Sequence, residues 1–292
     1  MTGIAGASPS AQRSRTLRIP VEAARQIRRR RTQVALGLLV ALPLLLVAAF
    51  LSGSPADPVS ASTGTAVAKG QSLADLATVS GANFALFVVY VSSTFLLVVI
   101  VALCCGDTVA SEAGWGSLRY LLAAPVPRSR LLRAKLWVGL GSSAAGLVIL
   151  AGVALAVGTL AFGWGPLQTP SGAAFPPGEA LGRLVAVLCS VAVALLPVAA
   201  LAFALSVSTD SPLGAVGGAV MLFIASSILE AVDALGELRS LLPTRYALAW
   251  LGLLSSPAQL EDVVKGCVSA LAYASAFLVL AWWRFLHKDI LS

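Results

Sequence analysis

The stretch Arg28-Arg-Arg-Arg-Thr32-Gln-Val-Ala-Leu-Gly-Leu-Leu-Val-Ala-Leu-Pro-Leu-Leu-Leu-Val-Ala-Ala-Phe-Leu-Ser52 sets four arginines against a long uncharged apolar run. A helix rises 1.5 Å per residue, so about 20 such residues cross the roughly 30 Å hydrocarbon core of a bilayer. Uncharged runs of that kind cover residues 32–56, 76–106, 136–178, 184–209, 211–229 and 266–283. They predict an all-α integral membrane protein with six transmembrane helices. Composition agrees: 58% of the 292 residues are apolar and 11% are charged, where soluble domains carry about a quarter charged residues.

The net charge of +7 could suggest nucleic acid, but the basic residues sit beside the ends of apolar runs, so no nucleic-acid partner is expected. Of 20 Lys and Arg, eight precede the first run, five lie in residues 107–135, and Arg284 and Lys288 follow the last. This bias places both termini in the cytoplasm. The first apolar run starts late and lacks a small-residue cleavage site, so it reads as an anchor rather than a signal peptide. Cys104, Cys105, Cys189 and Cys267 fall in or at the ends of predicted spans and read as small apolar residues. Neither a disulfide nor a metal site is expected.

Three regions follow. Residues 1–16, rich in Ser, Ala, Gly and Arg, read as a disordered tail. Residues 17–31 place Leu17, Val21, Ala24 and Ile27 on one helical face and Arg18, Glu22, Arg25 and Arg29 on another, the pattern of an interfacial helix at anionic headgroups. Residues 32–292 form the six-helix domain. Within it, residues 52–81 read as a loop with one short helix near Leu73, and Gly163-Trp-Gly-Pro166 closes the third span. The fourth and fifth spans form a tight hairpin through residues 206–212. Gly214 and Gly218 suit close helix packing within the chain. Residues 230–265 are amphipathic and predict one or two short helices dipping into the outer leaflet.

Residues 107–135 carry the most information. Trp115, Leu118 and Leu122 share a face at helical spacing, and Pro125 and Pro127 end the helix before the third span. Such a helix could rest on headgroups or dock on a protein. Its residues Glu112, Gly116-Ser-Leu118, Leu121-Leu122, Pro125-Val126, Arg128 and Lys135 resemble the pattern of the ATP-binding-cassette type-two permease family. Leu242-Pro-Thr-Arg-Tyr246 and the ending Trp283-Arg-Phe-Leu-His-Lys-Asp-Ile290 are similar to that family more weakly, and the ending also reads as an aromatic and basic interface anchor. Trp115 and Pro127 depart from the polar residues expected at their positions.

The resemblance implies a cytoplasmic coupling helix that docks on a separate ATPase, with Glu112, Trp115, Gly116, Leu118, Arg119, Leu121, Leu122 and Pro125 as the contact set. Leu118 and Leu122 would fill the partner's groove, and Glu112 and Arg119 would make polar contacts. It further implies two ATPase copies, a second permease, identical or homologous, and a multi-pass location in a bacterial inner membrane. ATP and Mg would then sit on the partner, with no cofactor on this chain. No G-x-x-x-x-G-K-[ST] loop occurs, consistent with that division of labour.

Enzyme readings have little support. The one histidine, His287, lies beyond the last apolar run, which leaves no H-E-x-x-H zinc site and no membrane-buried Ser-His dyad. No charge sits at the centre of an apolar run, so a proton-coupled carrier is disfavoured. In the second run Asn83, Phe87, Tyr90 and Thr94 share a face, with Ser93 adjacent, either as a substrate path or as helix packing. By implication the chain exports an amphiphile: a drug, antibiotic or lipid. The alternative is a non-transporting assembly or sensor subunit working with an ATPase.

Overall fold

The computed structural model describes residues 24–52, 72–114 and 128–287, and nearly all of them are helical. The tail 1–16, residues 17–23 of the interfacial segment, the outer stretch 53–71, the coupling stretch 115–127 and residues 288–292 lie outside the described residues. Residues 24–27 form a helical turn, the chain kinks at Arg28 and Arg29, and α1 (Arg30–Ser52) carries the first apolar run.

The short α2 (Leu73–Leu76) is fixed by a capping box: the Asp75 amide donates to Ser72 Oγ, and the Ser72 amide donates to the Asp75 carboxylate. Next, α3 (Gly81–Thr94) and α4 (Leu96–Gly114) are halves of one span, bent by 59° at Phe95. The long α5 (Arg128–Phe162) leads to a hairpin in which β1 (Leu167–Gln168) pairs antiparallel with β2 (Ala174–Phe175). The fourth span is α6 (Pro177–Ala194) and α7 (Leu196–Ser208), interrupted at Leu195 beside Pro197, whose nitrogen has no proton for the helix ladder. After α8 (Pro212–Glu230), two 3-10 helices (Asp233–Leu241 and Ala249–Leu254) precede α9 (Glu261–His287). Among the described residues five spans are long and apolar enough to cross a membrane, and the bent pair α3/α4 makes six.

Two ends can be distinguished: a basic end, with residues 24–31 and the α4–α5 and α7–α8 connections, and a loop end, with α2, the hairpin and the 3-10 helices. The centre of the bundle is α7, which packs on α4, α8 and α9, while α5 packs on α1, α3 and α4. Small residues make the contacts, among them Ala199, Ala202 and Ala204 of α7, all buried. Lipid competes with any apolar surface, so helices here associate through close approach rather than hydrophobic burial alone. The tightest crossing joins α3 to α5. A Cβ on Gly81 would lie 2.6 Å from the Thr159 amide nitrogen, and one on Gly158 would lie 2.8 Å from Phe84 Cδ1. Leu160 and Leu213, 88% and 79% exposed, lie on the outside.

Some expected span ends need correction. The second span does not stop at residue 106, nor does the third start at 136: α4 runs to Gly114 and α5 starts at Arg128. The helices continue because Asp107, Glu112 and Lys135 are ion-paired inside the protein. The third span closes at Gly163-Trp-Gly-Pro166 as expected: the chain leaves α5 at Phe162 and folds into the hairpin. The short helices expected in 230–265 are present as two 3-10 helices, the first broken at Gly236, whose φ of 51° is left-handed. A Cβ on Gly218 would lie 3.2 Å from Leu205 Cδ1 of α7, a close approach within the chain.

Candidate functional site

At the basic end, carboxylates and cations from three segments meet around the last turns of α4. Glu112 and Lys135 are each only 3% side-chain exposed, and Lys135 Nζ lies 2.7 Å from Glu112 Oε2. Lys135 Nζ also donates to the Thr108 carbonyl at 3.0 Å. Arg25 Nη1 approaches Glu112 Oε1 at 3.8 Å from the solvent side. One turn earlier, Asp107 accepts from Arg29 at 2.6 Å and from Arg31 at 3.4 Å. Arg29 also donates to Ser111 Oγ at 2.8 Å, and Gln26 donates to the Cys104 carbonyl at 2.9 Å. Ser206 Oγ of α7 accepts from the Val109 and Ala110 amides at 3.1 and 2.9 Å.

Desolvated charges persist only when paired and hydrogen-bonded, because removing one partner strands the other in a medium of low polarity. The cluster therefore clamps residues 24–31, α4, α5 and α7 together. Its place in the chain matters more than its strength. Glu112 stands two residues before Gly114, and Lys135 lies on the second turn of α5, so their pair closes the base of the stretch 115–127.

Of the expected contact set, Glu112 is described, and its carboxylate is turned inward onto Lys135. Trp115, Gly116, Leu118, Arg119, Leu121, Leu122 and Pro125 lie outside the described residues. The interfacial segment also has a second role: Ile27 is 52% exposed, but Gln26 and Arg29 face the bundle.

At the loop end, a cavity of about 460 Å³ is lined by Phe87 and Tyr90 of α3, Leu73 of α2, and Leu251 and Leu254 of the second 3-10 helix. Ser72, Thr169, Ser171 and Ser255 add hydroxyls, and no charged side chain lines it among the described residues. Its volume falls in the range of small-molecule sites. Trp250, 2% exposed, stacks edge-on to Tyr90 at 6.2 Å between centroids and backs this wall.

Two side chains hold the covering elements down. Asn83 Nδ2 donates to the Gln168 carbonyl at 2.7 Å, and its Oδ1 accepts from the Gln168 amide at 3.0 Å, as a neighbouring strand would. The Arg183 guanidinium stacks on Phe175 at 3.5 Å and donates to the Leu253 carbonyl at 2.6 Å. The hairpin and the second 3-10 helix are thus tied to α3 and α6.

The expected substrate face divides accordingly. Phe87 and Tyr90 line the cavity, Asn83 binds the hairpin backbone, Ser93 Oγ donates to the Tyr90 carbonyl at 2.8 Å beside the helix break, and Thr94 is exposed. Sequence reasoning missed Asp107, Arg29 and Ser111 in the cluster, and Leu251, Leu254, Trp250 and Arg183 around the cavity. A signal for Trp250 was available, because an aromatic and leucine-rich run breaks an otherwise polar outer stretch.

A family model described as ABC-2 family transporter protein matches residues 22–290, which takes in every described helix. Among curated proteins, none matches the chain.

Proposed function

The chain belongs to the ABC-2 transporter family, and on that premise we propose that it is the membrane permease of an ATP-driven exporter for an amphiphilic compound. Family membership makes it the transport subunit of a system whose ATP hydrolysis falls to an ABC ATPase. The finer reading is this: two ATPase copies carrying ATP and Mg, a second permease, both termini in the cytoplasm of a bacterial cell, and export from the cytoplasm or inner leaflet.

One observation carries the proposal. The buried Glu112–Lys135 pair closes the base of residues 115–127 and ties α4, α5 and α7 to the N-terminal segment. A partner that docks on Leu118 and Leu122 would move those helices together rather than merely deform a loop. The cargo side rests on the cavity, whose leucines, aromatic rings and hydroxyls suit a neutral or weakly polar amphiphile.

The test is ATP hydrolysis in nanodiscs, with the chain co-purified with an ATPase encoded beside it, across drugs and lipids. Stimulation by one compound class that disappears with Leu118→Asp plus Leu122→Asp supports the reading. ATPase recovery unaffected by that double substitution rules out the docking face, and hydrolysis indifferent to every amphiphile favours an assembly or sensor role.

A further inference from the structure

A separate groove of about 330 Å³ opens on the flank of the basic end, between α1, α4 and α5. Thr32, Leu36, Cys104, Trp137, Gly141 and Ala145 are among its lining residues. Its floor is open at Gly141, where an added Cβ would meet nothing within 4 Å. The groove shares no lining residue with the loop-end cavity.

The rim is cationic. Ile27 and Thr32 both line the groove, and the arginines at 28–31 lie between them in the chain. Arg29 and Arg31 are engaged by Asp107, but Arg28 and Arg30 are exposed and make no ion pair among the described residues. On the opposite wall, Arg130 and Arg133 stand seven and four residues before Trp137, on the same face of α5, and both are exposed and unpaired among the described residues. The carboxylates of α4, Asp107 and Glu112, are buried and already paired. Trp137, 63% exposed, stands between the arginines and the apolar groove, the depth at which indoles mark a membrane–water interface.

Positive charge with no counter-charge among the described residues, above a narrow apolar slot, matches a phosphate head at the rim with an acyl chain beneath it. We propose that this groove binds one anionic phospholipid, its phosphate held by Arg28, Arg30, Arg130 and Arg133 and one acyl chain lying along Gly141 past Trp137. The site adds to the proposed export reading and does not depend on it.

Tryptophan quenching by lipids with brominated acyl chains tests the site on the full chain, in mixed micelles of phosphatidylglycerol or phosphatidylcholine. The Trp137 signal is the difference between the wild type and Trp137→Phe. Brominated phosphatidylglycerol should quench it at a mole fraction lower than phosphatidylcholine by about tenfold or more, since each basic side chain near an anionic surface contributes about 1 kcal/mol. Arg130→Gln plus Arg133→Gln, both surface changes, should cut that preference at least several-fold while leaving quenching by either lipid. Gly141→Leu, which fills the slot, should weaken quenching by both lipids. Equal quenching by the two lipids in the wild type overturns the proposal, as does quenching unchanged by Gly141→Leu in a monodisperse protein. Protection by millimolar glycerol phosphate would make this a soluble-anion site and overturn it too.

Discussion

Replacing Lys135 with Met keeps the length of the side chain and removes its charge, leaving Glu112 buried with Arg25 at 3.8 Å. Removing one partner of a buried pair costs about 3–5 kcal/mol. The loss of the bond from Lys135 Nζ to the Thr108 carbonyl adds about 1 kcal/mol. Arg25, 54% exposed, offsets part of this, so the expected loss is about 3 kcal/mol. Pairing Lys135→Met with Glu112→Gln removes the stranded charge and should recover most of it, to within about 1 kcal/mol of the native protein. The measurement is a double-substitution cycle on unfolding in mixed micelles, read by tryptophan fluorescence. A single substitution no more harmful than the double would refute the argument that these charges hold one another. The double variant also separates structure from coupling. It should stay folded and bind the ATPase, yet lose amphiphile-stimulated hydrolysis, because the base of residues 115–127 no longer moves as a unit.

Asn83→Ala should free the hairpin, losing two hydrogen bonds to Gln168, about 2 kcal/mol; hydrogen exchange should rise over residues 166–175 and stay unchanged in α7. Arg183→Met keeps the aliphatic stem but loses the stack on Phe175 and the bond to Leu253, so a cysteine placed at Leu251 should be alkylated several-fold faster. Gly81→Ala forces a methyl to within 2.6 Å of the Thr159 amide nitrogen and should lower folded yield sharply, whereas Gly152→Ala, with nothing within 4 Å, should be silent in the same size-exclusion assay.

The spans were legible because lipid demands long uncharged runs, and each of the six leaves one. The ends of α4 and α5 were not, because a charge in a sequence reads as an exit from the membrane. Asp107, Glu112 and Lys135 instead stay inside the helices, since their counter-charges arrive from residues far along the chain. The hairpin was invisible for a different reason: strands of two residues are too short to show a period. Phe87 and Tyr90 could be read from helical spacing alone, as both lie on one face of α3. The other wall comes from residues 251–254, and only tertiary packing brings it there. Asn83 was ambiguous between a polar path and packing, and its two bonds to Gln168 favour packing.

The two ends of the molecule are joined through two broken spans. The cavity residues Phe87 and Tyr90 stand on α3, and the clamped residues Asp107 and Glu112 stand on α4, with the 59° break at Phe95 between them. A second break, at Leu195, lies alongside. Leu97 of α4, Ser143 and Leu147 of α5, and Leu195 and Ala199 together line a void of about 190 Å³ where the two broken spans meet. Packed interiors resist continuous deformation and move between discrete arrangements. A void flanked by two helix breaks is where such a rearrangement costs least, since few contacts are lost and two ladders are already interrupted. Below it, the ion pairs make α4, α5 and the N-terminal segment move as one. Above it, Asn83 and Arg183 hold the cover of the cavity to α3 and α6, the halves of those spans on the far side of the breaks. On the proposed export reading, a displacement entering at residues 115–127 would reach the break at Phe95 through α4 and emerge as a change of angle between α4 and α3, altering the shape of the cavity that Phe87 and Tyr90 line.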